Sequence, residues 1–111
     1  TLNGTNGFVI NGIDASDWTG QSVSSAGDVN GDGTDDLIIG AIYADPAGQS
    51  GAGETYVVFG RTTGFAASLN LSTLNGTNGF VINGIDASDL SGYSVSSAGD
   101  VNGDGTGDLL I

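Results

Sequence analysis

The sequence contains no cysteine, histidine, lysine or methionine, and it sets a single arginine, Arg61, against 13 acidic residues. Each absence closes a route to function. Without His, Cys or Lys there is no imidazole base, no thiol nucleophile and no Schiff-base amine. Zinc and most transition metals lose their preferred nitrogen and sulfur ligands. No disulfide can staple the fold, and a Cys-free chain fits either redox compartment. The net charge of −12 opposes contact with nucleic acid and with anionic membrane surfaces. No apolar run reaches the length of a membrane span.

What is present is glycine, 21 of 111 residues, beside 38% hydrophobic residues gathered in short runs. Those runs argue for a folded chain rather than a disordered one. The length allows one small and marginal core. The dominant feature is repetition. Thr1–Asp17 recurs letter for letter at Thr73–Asp89, an offset of 72, and Asp28–Thr34 recurs at Asp100–Thr106. Only five of the 39 overlapping positions differ: Trp18/Leu90, Thr19/Ser91, Gln21/Tyr93, Asp35/Gly107 and Ile38/Leu110. A period of this size signals a propeller, solenoid or array, whose units bury their faces against neighbours. About one and a half units is therefore expected to belong to a longer protein or to associate with further copies of itself.

Four short segments per period carry the strand signature of apolar, β-branched or small residues bounded by Gly, Asn, Asp or Pro. They are Ser22–Gly27, Leu37–Ile42, Thr55–Gly60 and Phe80–Ile85, the last repeating Phe8–Ile13. Phe65–Leu74 reads as a loop with one helical turn. The Leu37 and Thr55 segments are apolar on both faces, so both faces are expected to be covered. The small residues of Ser22–Gly27 suit a crowded position near an axis. Four-stranded antiparallel sheets stacked round an axis meet both demands. Residues 1–19 then supply the last strand of a preceding blade and a connector. Residues 20–91 form one complete blade, and residues 92–111 the first two strands of the next.

The chemistry concentrates in the loop after the first strand, Asp28–Asp36. Oxygen side chains stand at loop positions 1, 3, 5 and 9, as Asp28, Asn30, Asp32 and Asp36. Gly33 permits a sharp turn at position 6, and Thr34 offers its carbonyl at position 7. A hard cation such as Ca²⁺ needs this kind of set, about 6–8 oxygens at roughly 2.3–2.6 Å. The second copy supplies Asp100, Asn102, Asp104, Thr106 and Asp108, so two Ca²⁺ are expected. Three candidate-ligand carboxylates in nine residues repel one another unless a cation compensates. An Asx-rich turn closing a hairpin without metal is the alternative. An EF-hand is excluded, since position 12 is Ile39 or Ile111 rather than Glu and the flanks read as strands.

The run from Gly20 through Gln-Ser-Val-Ser-Ser-Ala-Gly-Asp-Val-Asn-Gly-Asp-Gly-Thr-Asp-Asp-Leu-Ile-Ile-Gly to Ala41, then Tyr56-Val-Val-Phe-Gly60, resembles the FG-GAP repeats of the integrin α-subunit β-propeller. The bacterial extracellular versions are most similar. Gly92-Tyr-Ser-Val-Ser-Ser opens the second unit in the same way. Here the GAP signature reads Gly40-Ala41-Ile42, and the only proline is Pro46. The resemblance implies an all-β, FG-GAP/integrin-α-like β-propeller with four-stranded blades, usually seven in a ring. It also implies Ca²⁺ in the loop between the first two strands of each blade. Asp28, Asn30, Asp32, Thr34 and Asp36 match the family's ligand positions, as do Asp100, Asn102, Asp104, Thr106 and Asp108.

Three functional readings follow. The first is a non-catalytic, extracellular, calcium-binding segment serving cell adhesion or protein and glycan interaction. The second is a structural unit of an extracellular filament or matrix array, which near-identical repeats favour. The third is glycoside hydrolysis by paired aspartates, disfavoured because the clustered Asp residues already suit the cation. Asp14, Asp17, Asp86 and Asp89 read as solvated turn residues, with a second ion or ligand contact as the lesser alternative, and Arg61 as a solvated loop residue. The repeat-variable Trp18 and Tyr93 fit interchangeable packing or a binding surface. Asn3, Asn70 and Asn75 open N-glycosylation triplets.

Overall fold

The computed structural model describes all residues, Thr1–Ile111. Eight strands form in chain order. They are β1 (Val9–Asn11), β2 (Thr19–Gly27), β3 (Asp36–Ala41), β4 (Glu54–Val58), β5 (Ser68–Asn70), β6 (Gly79–Asn83), β7 (Ser96–Gly99) and β8 (Asp108–Leu110). Short 3₁₀ turns occupy Pro46–Gly48 and Leu71–Thr73. The central sheet is four-stranded and antiparallel, in the order β2-β3-β4-β6. β7 and β8 begin a second sheet in the same way that β2 and β3 begin the first. This is the blade geometry of a propeller.

Both faces of the two inner strands, β3 and β4, are covered, as their doubly apolar sequences require, while β2 and β6 are mostly half-buried or exposed. Alternation divides the residues between the two faces. Ile39 and Ala41 of β3 and Tyr56 and Val58 of β4 face one side, where Ala44 and Leu71 complete a buried cluster. Ile38 and Val57 face the other side, against Ala26 and, from the second unit, Val95. Full burial of a residue such as Ile38 contributes about 1.5–3 kcal/mol. Contacts between units are partly polar. The Val95 N–H donates to Ser22 Oγ at 3.0 Å, and the Gly107 N–H to the Asp28 carbonyl at 2.6 Å.

One glycine shows why the chain needs its small residues. A Cβ on Gly40 of β3 would stand 2.1 Å from the carbonyl oxygen of Gly92, where the second unit begins. Backbone meets backbone there, and no side chain fits between.

β5 departs from the sequence reading. Ser68–Asn70 lies inside Phe65–Leu74, read as a loop with one helical turn; the turn forms at Leu71–Thr73, but a strand precedes it. β5 pairs in parallel with β1, in the register Val9↔Ser68, Ile10↔Leu69 and Asn11↔Asn70. Phe8 stacks on Phe65 beside this pair, with centroids 4.1 Å apart. Arg61 is exposed in a loop, as expected, and lies over the Phe65 ring at 4.4 Å.

Candidate cation loops

The β2–β3 loop is built by its own Asx side chains. Asp28 Oδ1 accepts from the N–H groups of Gly31 at 2.8 Å and Asp32 at 3.0 Å, and Oδ2 accepts from Gly33 at 2.8 Å. Asn30 Oδ1 accepts from the Asp32 N–H at 3.2 Å, and Asp32 Oδ1 from the Thr34 N–H at 2.8 Å. Gly31 and Gly33 adopt φ of +77° and +87°, the left-handed region that glycine enters without strain. The loop coils round Asp28 as a result. Register shifts in β2 between Thr19 and Val23 and between Ser25 and Gly27 bend the strand that enters it.

Asp36 is the anchor. It is fully buried at the start of β3. Its Oδ2 accepts from the Val29 N–H at 2.9 Å, and its Oδ1 from the Gly60 N–H at 2.8 Å. One carboxylate thus ties the loop to the end of β4 and gives Gly60, after Phe59, a structural role. A Cβ on Gly60 would lie 2.1 Å from the Asp35 carbonyl oxygen.

The second loop repeats the pattern. Asp100 accepts from Gly103, Asp104 and Gly105 at 2.7, 3.1 and 2.9 Å. Asn102 accepts from the Asp104 N–H at 3.1 Å. Asp104 accepts from the Thr106 N–H at 2.9 Å and hydroxyl at 2.7 Å, and these bonds hold its carboxyl below the usual range. Asp108 accepts from the Val101 N–H at 2.7 Å. Position 8 bears on the contact between loops: Asp35 is exposed, while a Cβ on Gly107 would stand 3.1 Å from the Ala26 carbonyl oxygen.

The expected ligand residues are thereby gathered into two matching loops, and every side-chain donor among them is oxygen. That set suits a hard cation, and a carboxylate oxygen already accepting one N–H keeps a second lone pair. The oxygens point chiefly at backbone N–H groups, however, and no three acidic side chains converge on one point.

A second acidic region joins Asp14 and Asp17 to Asp45 and Glu54, which nothing in the sequence associated with them. Asp14, Asp17, Asp45 and Glu54 line a cavity of about 240 Å³ with Ile13, Ala15 and Ala44. Asp17, read as solvated, is buried, whereas Asp14, Asp86 and Asp89 are exposed as expected. The Asp17 carbonyl takes the Tyr43 N–H at 3.1 Å, which draws the residue beneath the β3–β4 connection. Burial, then the nearby Asp14 charge, pushes its carboxyl above the ordinary value. Burial and the hydrogen bond to Glu54 likewise push the Tyr56 phenol up. Trp18 and Tyr93 are both exposed, and Trp18 meets Tyr43 edge-on with centroids 5.1 Å apart.

Fold and loops define the class: an all-β repeat protein of propeller blades with an Asx-coiled loop between the first two strands. A family profile described as "FG-GAP repeat" matches residues 19–58. Integrin alpha-PS2 of Drosophila melanogaster is 33% identical over 114 aligned positions, covering 98% of this chain and 8% of the relative. Integrin alpha pat-2 of Caenorhabditis elegans is 33% identical over 94 positions, covering 83% of this chain and 7% of the relative. The chain belongs to the FG-GAP repeat family and is similar to integrin α subunits. It spans under a tenth of the length of these relatives.

Proposed function

We propose that this chain is a non-catalytic, calcium-binding propeller segment of an extracellular protein that works in adhesion or in protein and glycan interaction. The observation that carries this reading is the pair of matching loops, with oxygen donors at positions 1, 3, 5 and 9, set 72 residues apart on propeller blades. Asp28, Asn30, Asp32, Thr34 and Asp36 would hold one ion, and Asp100, Asn102, Asp104, Thr106 and Asp108 the other. The ion would supply the positive charge that a chain of net charge −12 lacks. Two Ca²⁺ would bring that charge to −8, and the loops would stiffen around them. Extracellular modules bind Ca²⁺ at roughly 10⁻⁴–10⁻³ M, so the loops would fill outside cells and empty inside. Partner contacts would fall to loops on one end of the blades. Residues 1–19, 20–91 and 92–111 serve in this reading as the end of one blade, a whole blade and the start of another.

Isothermal titration of the full chain with CaCl₂ tests the reading. Two ions per chain are expected, falling to one on Asp32→Ala or Asp104→Ala and to none on the double substitution. Heats indistinguishable from buffer at about 10 mM Ca²⁺, well above the range of such modules, would sink the metal claim.

A structural array is the second reading, favoured by 34 identities in 39 overlapping positions, from the five differences above. Electron microscopy of a longer repeat array separates the two, since adhesion rings give closed discs and an array gives fibres.

A further inference from the structure

Val81-Ile82-Asn83 in β6 and Val9-Ile10-Asn11 in β1 lie within the repeated Thr73–Asp89 and Thr1–Asp17 segments. The fold nevertheless places them in different settings. β6 pairs antiparallel with β4, and β1 pairs in parallel with β5. These settings use opposite edges of the strand. Along an antiparallel pair, bonded and non-bonded residues alternate. The Phe59 N–H donates to the Asn78 carbonyl at 3.0 Å, and the Gly84 N–H to the Gly53 carbonyl at 2.8 Å. With an unshifted register between them, Phe80 and Ile82 bond to β4, while Val81 directs its N–H and carbonyl away. That edge ends the sheet.

The counterpart in β1 shows what this edge accepts. The Val9 N–H donates to the Ala67 carbonyl at 3.0 Å, immediately before β5. The Asn11 side-chain amide donates to Asn70 Oδ1 at 2.8 Å. Val9 and Val81 are equally exposed, at 45%.

We propose that the free edge of β6 is the docking edge for the β5 strand of another repeat unit of this sequence. That strand is added in parallel, with Val81 opposite its Ser68 and Asn83 opposite its Asn70. Each fourth strand then lies between its own sheet and the next unit. The occupant follows from identity, because the same residues in β1 already hold that strand in that register. Main-chain bonds supply the attachment and the Asn–Asn pair sets the register, as in strand addition at a sheet edge. The contact involves no residue of the cation loops and does not depend on Ca²⁺.

Amide exchange by NMR tests this in the 111-residue chain and in a chain lengthened by one 72-residue copy of residues 40–111. In the shorter chain Val9 is expected to be protected and Val81 to exchange freely. In the longer chain the Val81 amide is expected to slow by about 100-fold or more, within the range spanned by local openings. Free exchange at Val81 while the sheet amides of the added copy are protected would overturn the proposal. If the added copy fails to fold, a peptide of residues 65–74 in millimolar excess over the 111-residue chain decides. Displacement of the Val81 resonance supports the docking edge, and an unmoved resonance overturns it.

Discussion

Two buried carboxylates with opposite consequences dominate the residue scale. Asp36 accepts two N–H groups from different parts of the blade, and deleting it strands both donors. Each unsatisfied donor costs about 1–3 kcal/mol. Asp36→Ala is therefore expected to lose roughly 2–6 kcal/mol in urea unfolding under chelation. Asp108→Ala, at a less buried position with one such bond, is expected to lose about 1 kcal/mol. Asp17 works the other way. With its folded value raised above 3.8, the folded state binds more protons than the unfolded one between those two values. Stability contributed by Asp17 is thus intact below pH 3.8 and falls as pH rises through the raised value. Asp14, Asp45 and Glu54 face the same cavity and add to the repulsion. Asp17→Asn is expected to melt higher than the parent at pH 7 in calcium-free buffer, with the difference vanishing near pH 3. A lower melting temperature for the variant at pH 7 would contradict this account.

Among elements, the four strands of the blade were legible because each announces itself locally. Leu37–Ala41 and Tyr56–Val58 are apolar on both faces, and Gly or Asp closes each run. Their boundaries shifted by a few residues: β2 starts at Thr19 rather than Ser22, and Ile42 falls outside β3. β5 was not legible. Three residues, Ser-Leu-Asn, carry no pattern of their own, and the partner that makes them a strand lies 59 residues away. The burial of Asp17 was hidden for the same reason, since it follows from where Tyr43 and Ala44 pass. The candidate loops were legible as residue types and spacing. Their inward turn onto backbone N–H groups was legible only as the Asx-turn alternative, and its extent was not, because it depends on the coil set by Gly31 and Gly33. The close approach at Gly40 yields a test between elements. Gly40→Ala is expected to push β3 from the start of the second unit, at a cost of roughly 1–3 kcal/mol. Faster exchange of the Val95 amide, which bonds to Ser22, would report the separation.

The molecule as a whole is about 40 × 37 × 21 Å, a flattened body holding one complete four-stranded sheet and the start of another. Its charge is nearly all of one sign, and its single cation is placed against an aromatic ring rather than a carboxylate. Acidic loops stand side by side where the units meet, joined by the bond from Gly107 to the Asp28 carbonyl. Attraction between the units therefore rests on apolar burial and backbone contacts, while like charges push the loops apart. Higher salt weakens that push.

The parallel pairing of β1 with β5 also has a temporal side. Asn11 leaves the ribosome 59 residues ahead of Asn70. At synthesis rates of roughly 5–20 residues per second, β1 waits about 3–12 s for the strand that covers it. During that interval a nascent chain presents an uncapped row of main-chain donors and acceptors. On a polysome, neighbouring chains carry the same sequence and compete for that row. The one-sided acidity of the sequence then serves the growing chain as much as the finished one, since like charges oppose the close approach of neighbouring copies while β1 is still uncovered.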